Sequence, residues 1–337
     1  MSAPPRGWIC PPPQHEPLLR SLLGGLFAEG LIPPGVIIDA GANDGEDACY
    51  YAERQPQRTV HAVEPTRENH KYIKRKWSPR LPNLKALHGG LGSLDHLVYE
   101  EQASNRTRIS SGQRSVRGWA NQVSGVSPPS TVDGLTAEAV ALYRIHRVDN
   151  LFSSVWRGER LGFAHFDLEG GELDVLMGAK DTIRRDRPVF TVETFVHNHP
   201  DLTLRLMRTI RSFGYQSYMV EEQCGLPVDC RNIINIPHEL LRSFVKSPTL
   251  DLASTVRAFF PVSADNIARQ VYADVCTSGA RCCVAGPVNS FRPKWWNSSC
   301  CNRACVNQWL DQQHGGKRMH RAFGERPKLY AGRVGLR

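Results

Sequence analysis

The run His165-Phe166-Asp167-Leu168-Glu169-Gly170-Gly171-Glu172 places three carboxylates and an imidazole where an apolar strand ends. A carboxylate beside a hydroxyl can take its proton, and an imidazole can hold or pass one near neutral pH. Gly170 and Gly171 let the chain turn there without a side-chain clash. A plainer reading is that Glu169 and Glu172 favour the N-terminus of the helix that follows. Glu193 closes the next apolar strand, Pro188 to Glu193, and so falls on the same edge of a parallel sheet; His197 and His199 follow in a polar loop. Asp167 and Glu193 could hold Mg²⁺ through two carboxylates and several waters, although the preferred assignment contains no metal, and the two histidines read equally well as exposed loop residues.

A second stretch narrows the chemistry. Val36, Ile37 and Ile38 are β-branched, as in a strand buried on both faces. Gly41 and Gly45 then bracket a tight turn, and Glu46 to Glu53 reads as a helix with acid in its first turn. Strand, glycine turn and helix open a nucleotide-binding α/β unit. There is no G-x-G-x-x-G, because Asn43 stands where the second glycine would be. Asp39, Asp44, Glu46 and Asp47 crowd the turn with negative charge, which repels a pyrophosphate and suits a cationic ligand. S-adenosylmethionine, with its sulfonium and ammonium, is such a ligand; an ordinary turn with no ligand is the alternative. Glu64, about 20 residues further on at the end of the second strand, can accept both hydrogens of a ribose diol. Methyl transfer from such a donor is an in-line displacement, so the enzyme must align donor and acceptor and remove the acceptor's proton. Asp167, Glu169, Glu172 and His165 are the candidates for that task.

The elements that must position these residues follow from periodicity. Leu18 to Leu31 predicts an amphipathic helix through Leu19, Leu22, Leu23 and Leu26. Strands are expected at Val36 to Ile38, Val60 to Val63, Leu84 to Leu87, Phe163 to Leu168, Pro188 to Glu193, Gln216 to Val220 and Asn232 to Ile236, the last two as an antiparallel pair. Single helices are expected at Arg67 to Lys76, at Glu172 to Arg185, with Leu173, Leu176, Met177 and Ile183 on one face, and at Leu202 to Phe213. Together they describe a seven-stranded, mostly parallel α/β sheet with helices on both faces. A dehydrogenase would instead repeat the βαβ pattern, and a nicotinamide enzyme is further disfavoured by the missing glycines. Asp95 to Arg147 is too long for a simple connection and reads as a substrate-binding insertion, with Trp119 and Tyr143 in it, rather than a loose loop.

These stretches resemble the FkbM family of S-adenosylmethionine-dependent methyltransferases. The resemblance lies in Ile38-Asp39-Ala40-Gly41-Ala42-Asn43-Asp44-Gly45, Val63-Glu64-Pro65, Val148-Asp149-Asn150-Leu151 and the run from Phe166 to Ala179. It implies a class I methyltransferase fold, S-adenosyl-L-methionine as cofactor and O-methylation of a hydroxyl on a sugar or small molecule. It also implies that Asp39, Gly41, Asn43 and Gly45 form the loop for the methionine end, that Glu64 binds the ribose, and that Asp167, Glu169 and Glu172 are the family's acidic motif. The family usually has Lys two positions before that acid; His165 stands there in this chain.

The organisation expected is a Pro-rich arm over residues 1–17, a methyltransferase domain over 18–245 with the insertion at 95–147, and a basic, Cys-rich, partly unstructured extension over 246–337. A hydrophobic content of 41% supports a real core rather than disorder. The net charge of +9 is concentrated in the last stretch, where seven Lys and Arg from Lys317 to Arg337 face only Asp311 and Glu325. Such a tail reads as solvated, and nucleic acid is not an expected partner; a methyltransferase-fold module that merely binds an acidic partner through this tail is the alternative function. Cys10 and Cys49 look isolated. Cys276, Cys282, Cys283, Cys300, Cys301 and Cys305 permit zinc, disulfides or no partner at all. With no apolar run near 18 residues and no secretory signal in the arm, no membrane-spanning segment is expected and the cytoplasm is the expected compartment.

Overall fold

The computed structural model describes residues 9–11, 16–99, 141–195, 199–223, 230–255 and 259–267. The segment 107–110, Trp119, His197, the cysteines from Cys276 to Cys305 and the basic tail lie outside these residues. The strands are β1 (Val36–Ala40), β2 (Val60–Glu64), β3 (Leu84–His88), β4 (Gly90–Leu91), β5 (His96–Tyr99), β6 (Ala141–His146), β7 (Leu161–Phe166), β8 (Val189–Phe195), β9 (Tyr215–Gln223), β10 (Cys230–Pro237) and β11 (Phe259–Val262). The helices used below are α1 (Pro17–Ala28), α2 (Glu46–Arg54), α3 (Arg67–Lys76), α4 (Val148–Ser153), α5 (Glu172–Gly178), α6 (Lys180–Asp186) and α7 (Pro200–Ser212).

The main sheet runs β11-β9-β10-β8-β7-β1-β2-β3. The five strands from β8 to β3 are parallel, and β10, β9 and β11 complete the sheet in antiparallel fashion. Seven strands were expected; the eighth, β11, pairs with β9 and carries the sheet past residue 245. β1, β7 and β8 are buried along their whole length, as parallel strands covered on both faces must be. One face packs on α1 and α2 through residues such as Leu23, Leu26, Tyr51, Ile37 and Phe163. The other carries Ile38, Ala40, Phe166, Val175, Ile183 and Ile210. The leucines of α1 that repeat at helical spacing are all buried. Its exposed amino end is closed by β9, where Glu222 accepts hydrogen bonds from the amides of Leu18 and Leu19, each 2.8 Å long.

The helix expected over Glu172 to Arg185 is broken into α5 and α6 at Ala179. Two constraints cause the break. Gly178 lies so close to the backbone that a Cβ on it would stand 2.0 Å from the Gly92 carbonyl oxygen. Asp149 then gives α6 its own start, accepting from the Thr182 amide at 2.8 Å and the Asp181 amide at 3.3 Å. The buried positions are Glu172, Val175, Leu176, Ala179 and Ile183, which keep helical spacing, and Met177 falls off that face and is exposed. The described ends of the insertion at 95–147, β5 and β6, form a three-stranded sheet with β4, which precedes it.

Cys10 and Cys49 are not isolated. They form a disulfide with Cα atoms 5.8 Å apart, tying the N-terminal arm to α2 across 39 positions of sequence. The Ile9 and Cys10 amides also donate to the Glu53 carboxylate. Cys230 is disulfide-bonded as well. The Cys10–Cys49 bridge is expected to contribute about 2–4 kcal/mol. Urea unfolding of Cys10→Ser, Cys49→Ser and the double variant checks this: all three should lose the same amount, and a double loss equal to the sum would mean that no bridge forms.

Candidate active site

Two turns meet at the carboxyl edge of the sheet. Gly41 follows β1 with φ 81°, and a Cβ on it would stand 1.7 Å from the Asp167 carbonyl oxygen. The Asp167 amide donates to the Ala40 carbonyl at 3.0 Å. The glycine turn and the acidic turn are therefore in backbone contact, which only glycine allows at this position. Asn43 takes φ 47°, a left-handed conformation that Asn tolerates. Its amide donates to Glu64 Oε2 at 2.8 Å, and its Oδ1 accepts from Asn69 Nδ2 at 2.9 Å. The Thr66 amide donates to Glu64 Oε1 at 2.7 Å. Burial raises the Glu64 pKa against these bonds, and each of its oxygens keeps a lone pair for a further donor.

Asp39, His165 and Thr191 are register partners across β1, β7 and β8 and share one face of the sheet, beneath α1 and α2. His165 Nδ1 lies 2.7 Å from Thr191 Oγ1. Burial works against charge on His165, but Asp47, Asp39, Asp167 and Glu16 outweigh it and raise its pKa. Asp39 is 1% exposed. Burial first, and the Asp47 charge second, push its pKa up to about 7, and its Oδ2 has no hydrogen-bond partner. Arg20 of α1 pairs with Asp47 of α2 at 2.7 Å. Glu16, just before α1, accepts from Asn232 Nδ2 at 2.9 Å, and burial above all pushes its pKa to about 7. Asp47 was among the acids read from sequence; Glu16, Arg20 and Asn232 were not singled out there. Glu16 and Asn232 are 216 positions apart, and no local pattern joins them.

One carboxylate oxygen from each of Asp167, Glu169 and Glu193 lies within 4.8 Å of the others. Lost hydration first, and Asp167 second, raise the Glu169 pKa, moderated by the exposure of the residue as a whole. Glu172 is placed differently. Its buried Oε1 accepts from the Leu168 amide at 2.9 Å and the Gly170 amide at 3.2 Å, so it braces the acidic turn from inside. His199 stands before α7 with its ring 6.1 Å from that of Phe195, apart from the carboxylate group.

A parallel sheet closed by an antiparallel hairpin, with a glycine turn after β1 and an acid at the end of β2, is the arrangement of a class I methyltransferase. The model of the methyltransferase FkbM domain matches residues 39–217. The chain belongs to the FkbM methyltransferase family, and its cofactor is S-adenosyl-L-methionine. Among solved structures it is similar to the methyltransferase FkbM of Methylobacillus flagellatus KT, at 15% identity and a TM-score of 0.39, over 63% of this chain and 47% of that one. The chain thus spans about half the length of that relative. It is also similar to fibrillarin of Aeropyrum pernix with natively bound S-adenosyl-L-methionine, at 13% identity and a TM-score of 0.38, over 65% of this chain and 74% of that one. A precorrin-6y C5,15-methyltransferase of Geobacter metallireducens GS-15 matches at 11% identity and a TM-score of 0.31, over 63% and 84%. No curated protein matches the chain.

Two outcomes are expected. Gly41→Ala should lose at least about 1–3 kcal/mol from backbone strain alone, read as a lower urea midpoint; an unchanged midpoint would mean that the two turns part freely. Burial first raises Glu172 from 4.5 to about 7. The folded state therefore binds a proton that the unfolded chain has released, so this contribution is full below 4.5 and is lost as pH rises through about 7. Thermal midpoints should fall across that window less steeply in Glu172→Gln than in the wild type.

Proposed function

We propose that this chain methylates a hydroxyl of a sugar or another small molecule. The observation that carries the reading is the Gly41–Asp167 contact, which sets a donor loop directly against a turn bearing carboxylates. The described residues suit a cationic donor. Asp39 offers a buried oxygen with no partner, the Gly41 backbone permits close approach, and Glu64 retains acceptor capacity. Asp39, Gly41, Asn43 and Gly45 would hold the methionine end, and Glu64 the ribose. When bound, the donor supplies an electrophilic methyl carbon.

The chain's own residues then divide the remaining work. Asp167 and Glu169, at the sheet edge, take the acceptor's proton. His165, whose pKa the charges of Asp47, Asp39, Asp167 and Glu16 raise against its burial, occupies the place where the family's lysine usually stands. Glu172 is a positioning residue for the acidic turn. The acceptor site is proposed on the side of the insertion at 95–147, whose described ends, β5 and β6, form a sheet with β4, which packs on α5. As to compartment, no helix among the described residues is long and apolar enough to cross a membrane. The bridge between Cys10 and Cys49 and the bridged Cys230 favour an oxidising compartment over the cytoplasm expected from sequence.

Calorimetry with S-adenosylhomocysteine tests the donor site. The wild type should bind, and Glu64→Ala should weaken binding at least tenfold, since two ribose hydrogen bonds at about 1 kcal/mol or more each are lost; full affinity in that variant would remove the ribose role. Mass spectrometry of a glycan and small-alcohol panel, searched for the gain of one methylene, then tests the acceptor class.

A further inference from the structure

We propose that Asp167, Glu169 and Glu193 bind a hard divalent cation, of the Mg²⁺ or Mn²⁺ kind, where β7 and β8 end. Three carboxylates close together do not make a site by themselves, so the argument turns on Glu193. It is 7% exposed, and its Oε2 has no hydrogen-bond partner. Its Oε1 lies 2.7 Å from the Cys230 sulfur, but that sulfur belongs to a disulfide and has no hydrogen to donate. The partner left to this buried carboxylate within the protein is the Asp167 carboxyl, itself an acid. The foremost charged neighbours of Glu193, Asp167, Glu169 and Glu172, are all acids.

A buried carboxylate facing others must be neutralised. A proton shared with Asp167 would do this, and so would a cation. The geometry points to the cation. Around one ion with bonds of about 2.1–2.4 Å, ligand oxygens stand about 3 Å apart when adjacent and up to about 4.8 Å when opposite. The three oxygens lie within 4.8 Å of one another. Two ligands flank a strand edge, and the exposed third, Glu169, leaves the outer positions to water or to an acceptor oxygen, as Mg²⁺ prefers. The methyl donor does not supply the missing charge. It belongs over β1, and β8 lies two strands away, roughly 10 Å. Arg20 and His165, the cations of the buried face, are engaged with Asp47 and with Asp39. A cation here would draw an acceptor hydroxyl into its shell and lower that hydroxyl's pKa. This role rests on the methyl-transfer reading, whereas ion binding itself does not.

Titration of the full chain with Mn²⁺, followed by the loss of the free-ion electron paramagnetic resonance signal, tests the proposal. One Mn²⁺ per chain is expected at this site, displaced by Mg²⁺. Since losing even a partner that only supports a ligand costs 10–100-fold in affinity, Asp167→Asn, Glu169→Gln and Glu193→Gln should each weaken binding at least about tenfold. Glu64→Ala should bind Mn²⁺ as the wild type does while losing S-adenosylhomocysteine, so failure of the donor reading and failure of the metal reading are told apart. Circular dichroism monitors folding, and if Glu193→Gln does not fold, exposed Glu169→Gln decides. No binding by the wild type would overturn the proposal in favour of a shared proton. Equal affinity in the wild type and the three carboxylate variants would overturn it by placing the ion elsewhere.

Discussion

The approach of Gly41 to the Asp167 carbonyl is the constraint on which the rest of the site depends. It joins two loops that belong to different βα units, and it does so through backbone, with no side chain free to adjust. The amide of Asp167 bonds to Ala40 within the same contact, so β1 and β7 continue their ladder one step beyond the sheet before the chains diverge. The loop after β1 then reaches the other way, to Glu64 at the end of β2, through the Asn43 amide. Three parallel strands are thus locked at their carboxyl ends, β1 to β7 by main-chain atoms and β1 to β2 through the Glu64 carboxylate. The side chains that project from this edge need only the rotamers their neighbours allow.

The second determinant is an excess of acid on one buried face. Asp39, Asp47, Glu16, Asp167 and Glu193 converge there, and Arg20 and His165 are the cations they meet. Burying this much negative charge without partners is costly. Part of the cost is met by protonation, since burial pushes Asp39 and Glu16 up to about 7. Part is met by the imidazole of His165, which gains a proton because the acids outweigh its own burial. The negative charge that remains on this face favours cationic ligands.

Much of this was legible in sequence where the signal is local. The β-branched run before Asp39, the glycines at 41 and 45 and the acid at 64 are bound by short-range geometry, and the structure places them together as the spacing implies. The helix break at Ala179 was hidden, because its causes, Gly92 and Asp149, come from other segments. Strand β11 escaped notice because four residues at a sheet edge carry little periodicity. Met177 was placed on the apolar face with Leu176, but the buried face runs through Val175, Leu176 and Ala179, and Met177 stands about 100° beyond Leu176. The disulfide between Cys10 and Cys49 could not be read from two solitary cysteines, since nothing in either neighbourhood indicates that the arm folds back onto α2. Glu172 shows the converse. Its spacing within the motif marked it as an acid of the site, but the turn needed an internal acceptor for two amides, and the structure uses it there.

The N-terminal segment takes part in the site through that same fold-back. Residues 9 and 10 are fastened to α2 by Glu53 and by the bridge to Cys49. Glu16 is fastened to β10 through Asn232, and the start of α1 to β9 through Glu222. Just beyond these anchors α1 presents Arg20 to Asp47 and, through its backbone carbonyl, accepts from the Tyr50 hydroxyl at 3.0 Å. Arg20 is therefore held over the acidic face by attachments made immediately before it in the chain. Without them the one arginine facing Asp39 and Asp47 would be tied only by its own ion pair, and long side chains do not stay ordered for one such bond. Residues 9, 10 and 16 of the segment read from sequence as a proline-rich arm thus anchor the start of the helix that carries Arg20 over the acids of the donor side.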